Sequence, residues 1–371
     1  VSFEALRGQW TGARLNFNPG TFGTPASGVR AAVSAFQAET DGWPLAQYER
    51  GRAAVRAARR QLAELWPHAG LVVGAGTTSQ VSALVPAFVR ACGRVRLLTT
   101  TEEHEGGLAG WLAHPEVEVV QVAPAEVAEA ASRGGWDVVF VSEIAWTTGE
   151  RIDTAELEGV VGDALLVVDA AQAAGPTVFV PRGDVGVASL HKWLAAPAGT
   201  GFGWLSPRAR ARLHGTRWAG HALDPEHDLA EFEPAGGLDY AAWAGVGVAL
   251  GLYAGVGERA AVARVRELGE RLAAGAAERL APWRPSFAVD GRFGAEPGVS
   301  EGGAVVVRFP REVDPYAFYR ALDAAGLHAK CIKSPVHNQL RWGVPWWETE
   351  ARVDEALGLL SAHAERLGAR P

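Results

Sequence analysis

Residues 164–205 read ALLVVDAAQAAGPTVFVPRGDVGVASLHKWLAAPAGTGFGWL. The apolar run at 165–168 is too short for a helix and lacks polar alternation, the pattern of a strand buried on both faces of a parallel sheet. It stops on a carboxylate, Asp169. In an open α/β sheet, ligands lie outside the carboxyl ends of the strands, so Asp169 is expected to face one. A second short strand, 185–190, leads into His191-Lys192. The expected fold class is α/β with a mostly parallel sheet.

Lys192 stands out against the composition. The chain has only three lysines, Lys192, Lys330 and Lys333, among 35 Lys and Arg residues. Lys192 is kept in an apolar setting, between Ser189-Leu190-His191 and Trp193-Leu194. Arginine cannot form a Schiff base, whereas a desolvated lysine can, because burial lowers its pKa and frees the lone pair.

Toward the N-terminus, a short strand at 71–73 opens onto Gly74-Ala-Gly-Thr-Thr-Ser-Gln80 and a helix over about 78–91. A Gly-rich turn into a helix N-terminus offers unsatisfied N–H groups and the positive end of a dipole, which suits a phosphate. Gly76, Thr77 and Thr78 are the residues placed there. Further strands fall at 95–98, 117–122 and 137–146, and His104 follows the first of them. An Arg-rich helix covers 43–66, and turn chemistry at 15–25, LNFNPGTFGTP, precedes an amphipathic helix carrying Val29, Ala32, Val33 and Phe36.

Beyond residue 240 the composition shifts to Ala, Gly, Leu and Arg in a long helical stretch, followed by a loop at 283–301. A strand at 304–309, a helix at 315–325, a strand at 327–332 and a last helix at 348–367 then form a small α+β unit. A chain of 371 residues, 48% hydrophobic, exceeds one ordinary core and suggests two domains. The net charge of −7 comes without a basic block, so no nucleic-acid partner is expected. Two cysteines, Cys92 and Cys331, make no disulfide scaffold, and no metal-spaced cluster occurs, so no metal is expected. There is no apolar run of about eighteen residues, and a cytoplasmic protein without membrane contact is expected.

The combination Asp169-x-x-Gln172, an intervening strand, then Ser189-x-His191-Lys192 and a Gly-rich continuation resembles the class V aminotransferase family of pyridoxal-phosphate (PLP) enzymes. That group includes cysteine desulfurases, selenocysteine lyases, isopenicillin-N-epimerase-like proteins and kynureninases. The resemblance covers about residues 15–350. It implies the PLP-dependent transferase fold: a large domain with a mostly parallel, seven-stranded-type sheet flanked by helices, and a small C-terminal α+β domain. The expected division is an N-terminal segment, 1–30, at the site mouth and packing with the small domain, a PLP-binding domain, 31–245, and a connector helix with the small domain, 246–371.

The resemblance also implies roles. Lys192 would hold the cofactor as an imine and later move the α-proton. Asp169 would pair with the pyridinium nitrogen, and Gln172 would donate to the phenolic oxygen. Gly76, Thr77, Thr78, Ser189 and His191 would bind phosphate, and His104 would lie on the ring. Thr148, in a kynureninase-like Thr-Gly segment, is a further cofactor contact. Arg341 would fork onto the substrate α-carboxylate, and Asn18, in Asn-x-Gly-Thr-Phe-Gly, would stand at the substrate mouth. Where the family has polar residues, this chain has Gly107, Glu143 and Gly237, with Glu143 expected to be turned away from or repelled by the phenolate. Cys331 is read as a structural thiol. A homodimer with shared sites is expected. The leading functional expectation is a PLP enzyme acting on a small α-amino acid, with aminotransferase chemistry first. A C–S, C–Se or C–C lyase or an epimerase is the alternative, and a non-catalytic PLP-binding relative the third reading.

Overall fold

The run at 165–168 lies in the central strand of a seven-stranded sheet in the computed structural model, which describes residues 3–10, 12, 14–216, 227–233, 238–289 and 291–369. In chain order the strands are β1 (Leu71–Gly74), β2 (Val95–Thr100), β3 (Val117–Val122), β4 (Val138–Ser142), β5 (Leu165–Asp169), β6 (Val185–Ser189) and β7 (Gly201–Leu205). Their spatial order is β1-β7-β6-β5-β4-β2-β3, and only β7 runs against its neighbours.

Successive strand residues point to opposite faces. Leu166 and Val168 therefore join one core with Leu62, Trp66, Trp193 and Tyr253. Leu165 and Val167 join the other with Leu84, Phe88, Trp111 and Phe140. This double burial is why β5 shows no alternation. It also turns the carboxyl ends of β4, β5 and β6 to one edge, where Ser142, Asp169 and Ser189 stand.

The second unit is an antiparallel sheet of β8 (Ser286–Val289), β9 (Arg292–Gly294), β10 (Ala304–Arg308), β11 (Lys330–Lys333) and β12 (Asn338–Gly343), ordered β9-β8-β10-β12-β11. Helix Glu258–Leu280 bridges the two units. Ala261 and Val265 pack into the large core, and Leu268, Leu272 and Ala276 into the small one. The N-terminal segment does the same in reverse, with Leu15 and Phe17 in the small core and Ala26 and Val29 in the large one.

Several boundaries differ from the sequence expectation. The stretch 137–146 is strand only to Ser142, because residues beyond it fold back through an Ile144–Arg151 bridge. The stretch 327–332 breaks at Ala329: Leu327–His328 pairs in parallel with Leu15–Asn16, whereas Lys330–Lys333 pairs with β12. The last helix is Glu350–His363, started by Thr349, whose hydroxyl accepts the Arg352 N–H at 3.2 Å. No single helix among the described residues is long and apolar enough to cross a membrane.

Candidate active site

A cleft of about 250 Å³ opens at the carboxyl ends of β4, β5 and β6 and is closed on its other side by the N-terminal segment and the β11–β12 pair. One wall is the start of helix Thr77–Cys92. Gly76 caps it with φ of +108°, and a side chain there would also meet the His191 ring at 3.3 Å, so the turn needs glycine. Thr77 donates from its backbone to Ser189 Oγ at 3.3 Å, and the two hydroxyls lie 2.6 Å apart. His191 places Nδ1 3.2 Å from the Thr200 carbonyl, and burial lowers its pKa. Thr78 lines the same wall. Helix N–H groups, hydroxyls and an imidazole thus converge as an anion seat.

Asp169 and Lys192 face the same cleft. Asp169 is buried, and its Oδ1 accepts one hydrogen bond, from the Ala171 N–H at 2.8 Å. Burial raises its pKa, against the opposing pull of Lys192. Lys192 forms no ion pair with it. Burial lowers the amine to about 8, with Asp169 opposing and Arg341 assisting.

The loop after β2 brings a buried carboxylate, given no role in the sequence reading, to the carboxyl end of β4. Glu103 accepts from the Ser142 N–H at 2.9 Å, the Ser142 hydroxyl at 2.6 Å and the Thr100 hydroxyl at 2.7 Å. Burial nonetheless lifts it to about 7. The next residue, His104, caps helix Glu105–Leu112, its Nδ1 accepting the Gly106 N–H at 3.0 Å. That fixes the proton of the neutral ring on Nε2. Burial first, then the charges of Lys192, Lys330 and Arg341, lower His104 to about 4. Its ring meets Trp146 edge to face at 5.3 Å. At Gly107 an added Cβ would lie 3.0 Å from Phe140 and 3.3 Å from Asp169 Oδ2, so a larger residue there would have to shift these neighbours by a few tenths of an ångström.

On the far side, Arg341 is buried without a carboxylate among the described residues. It donates to the Trp146 carbonyl and, at 3.4 Å, to Asn18 Oδ1. Burial lowers it to about 10. Asn18 donates in turn to the Ala329 carbonyl at 3.2 Å, so it buttresses Arg341 from a neighbouring recess. Gln172 is committed at both ends: Nε2 donates to the Gly20 carbonyl at 2.8 Å and Oε1 accepts from Trp193 Nε1 at 3.0 Å. It still lines the cleft. Gly23 donates to the His191 carbonyl at 2.8 Å, laying the N-terminal loop across the Lys192 turn.

Of the residues singled out in the sequence, Gly76, Thr77, Thr78, His104, Asp169, Gln172, Ser189, His191, Lys192 and Arg341 line one cleft. Thr148 does not: its hydroxyl accepts the Glu150 N–H at 3.2 Å and stabilises the turn after β4. Glu143 is turned away, buried and paired with Arg151 at 2.6 Å. Gly237 lies outside the described residues. Cys331 is partly buried against the small core, away from the cleft, and burial raises its thiol pKa. Lys330 and Trp146 do line the cleft, and the sequence reading gave neither a role.

The sequence model of the family described as "Aminotransferase class-V" matches residues 44–328. Over 129 residues the chain is 37% identical to a probable hercynylcysteine sulfoxide lyase of Mycobacterium tuberculosis (strain CDC 1551 / Oshkosh), covering 34% of this chain and 31% of that one. It is 31% identical over 265 residues to isopenicillin N epimerase of Amycolatopsis lactamdurans, 64% of each chain. The matches thus span less than two thirds of these relatives' own length. Among solved structures, the cystine C–S lyase C-DES in complex with its reaction product cysteine persulfide superposes with a TM-score of 0.78 at 18% identity, over 98% of this chain and 100% of that one. A cysteine desulfurase from Thermococcus onnurineus NA1 gives 0.79 at 16% identity, over 97% of each. The fold is shared with these proteins, and with the family's sequence pattern running through β1 to β7 and into the small unit, the chain belongs to the aminotransferase class-V family.

Proposed function

We propose that this chain is a PLP-dependent lyase that acts on a small α-amino acid and breaks a bond from its β-carbon to sulfur. The carrying observation is the pairing, in one cleft, of an amine lowered to about 8, Lys192, with a buried carboxylate, Asp169, that accepts a single protein hydrogen bond. An anion seat lies beside them, and a buried guanidinium with no carboxylate partner among the described residues lies opposite. These unmet needs match the parts of pyridoxal phosphate and an amino acid: phosphate, ring nitrogen, aldehyde and α-carboxylate.

When bound, the cofactor supplies an aldehyde carbon and an electron-accepting ring that acidifies an amino acid's α-proton. The chain's residues do the rest. Gly76, Thr77, Thr78, Ser189 and His191 hold phosphate oxygens. Asp169 keeps a proton on the ring nitrogen, and His104, neutral because of its lowered pKa, offers an uncharged flat face. Gln172 holds the Gly20 carbonyl, and so the loop over the site. Arg341 receives the α-carboxylate, steadied by Asn18. Lys192, as the free amine, would take the α-proton, the α C–H electron pair would become a Cα–Cβ double bond, and the β-carbon–sulfur bond would break with its electron pair leaving on sulfur.

The lyase reading is supported by the sulfoxide lyase relative and by the absence of a thiol from the cleft lining, which argues against a cysteine-borne sulfur carrier. Transamination is the second reading, favoured by the Lys192, Asp169 and Arg341 set, which suffices for it. Incubation with S-substituted cysteines, including sulfoxides, is expected to release pyruvate or another product lacking the sulfur group. Conversion of the cofactor to pyridoxamine phosphate without such release would replace this reading with transamination.

A further inference from the structure

Lys330 and Arg341 are register partners across β11 and β12. Directly opposed residues carry their side chains on the same sheet face, roughly 5 Å apart at Cβ, and like charges so placed destabilise the strand pair. Both line the cleft. Lys333, the other lysine of β11, pairs with Asp314 at 3.0 Å, but the Lys330 ammonium has no ion-pair partner among the described residues. Its neighbour is the Trp146 ring, 5.9 Å from Nζ to centroid. The one carboxylate in the cleft lining among the described residues, Asp169, makes no ion pair with Lys330.

The two cations also serve different parts of the cleft. Arg341 is tied down by hydrogen bonds to the Trp146 carbonyl and Asn18 Oδ1, whereas Lys330 lies beside the Trp146 ring with no hydrogen bond or ion pair among the described residues. A single carboxylate taken up by both nitrogens of the Arg341 fork would therefore leave the Lys330 ammonium, beside the Trp146 ring, without an anion of its own. We infer that Lys330 is a specificity-determining residue that receives a second anionic group carried on the substrate's side chain, so that the substrate class is an amino acid with two anionic groups. This rests on the reading above that Arg341 takes the α-carboxylate.

Binding of unreactive acids to the PLP-loaded protein tests it by calorimetry. Glutarate, with two carboxylates, is expected to bind about tenfold more tightly than butyrate, the scale of one charge-assisted hydrogen bond. Lys330→Ala should remove that preference while leaving butyrate affinity within about twofold, and Lys330→Arg should retain most of it. Because a repulsive contact is lost, the melting temperature of Lys330→Ala should equal or exceed the parent's. Should that variant not fold, Lys330→Gln carries the same expectation. Equal affinity of the parent for both acids, an equal loss for both in Lys330→Ala, or a clear drop in its melting temperature would overturn the inference. Failure of the underlying reading shows separately, as butyrate affinity unchanged in Arg341→Ala.

Discussion

Lys192 and Glu103 show how burial sets the chemistry of this cleft. Lys192 is held near 8 rather than at the ordinary lysine value of 10.5, so the free amine becomes the major form only above that pH. Capture of pyridoxal phosphate by the cofactor-free protein should accelerate as pH rises from 6 toward about 8 and then level off, followed by absorbance. Glu103 is shifted the other way, from 4.5 to about 7. Its raised pKa contributes stability that is complete below pH 4.5 and is lost as pH rises through 7. Glu103→Gln, which imitates the protonated acid, should therefore become progressively more stable than the parent between those values in denaturant titrations. At this scale the sequence was most legible where composition singled out a residue. Lys192 stood alone among arginines and Asp169 ended an apolar run. Glu103 was hidden because its partners, Ser142 and Thr100, come from two adjoining strands. That Glu143 would be turned away was one of two expected fates; its partner Arg151 was not legible, since it reaches Glu143 only after the chain folds back.

Among the elements, the loop at 17–24 and the β11–β12 pair complete a cleft that the large sheet only begins. The loop lies so close to the Lys192 turn that a Cβ at Gly23 would stand 2.0 Å from the Lys192 carbonyl oxygen. Gly23→Ala must push the loop away and break the bond to the His191 carbonyl. A loss of roughly 1–3 kcal/mol is expected, with weaker cofactor retention, read by thermal melting and by gel filtration of the loaded protein. Short unbroken apolar runs marked β5 and β6, and the Gly-rich turn marked the helix that begins at Thr77, expected from about residue 78, because these signals are local. The break at Ala329 was not legible, since its first half pairs with the distant Leu15–Asn16, while its second half pairs with the following strand, β12. With that register unknown, nothing local showed that Lys330 shares a face with Arg341.

For the molecule as a whole, helix Glu258–Leu280 is shared by both cores, and the N-terminal segment crosses between them a second time. Neither core can lose its packing without exposing apolar surface of the other. Urea unfolding should accordingly be a single transition, with tryptophan fluorescence and far-UV circular dichroism coincident. The cleft lies between the two units, so ligand binding on either wall adds to that coupling. The double crossing was not legible in the sequence, because it rests on contacts between residues far apart in the chain.

The central claim is that Lys192 and Asp169 act on one cofactor. Borohydride reduction of the PLP-loaded protein, followed by peptide mass spectrometry, tests it most directly. The account predicts a single pyridoxyl label on Lys192, absent from Lys192→Ala and weakly retained in Asp169→Ala. A label on Lys330 or Lys333 instead, or no label on any lysine after loading, would contradict it.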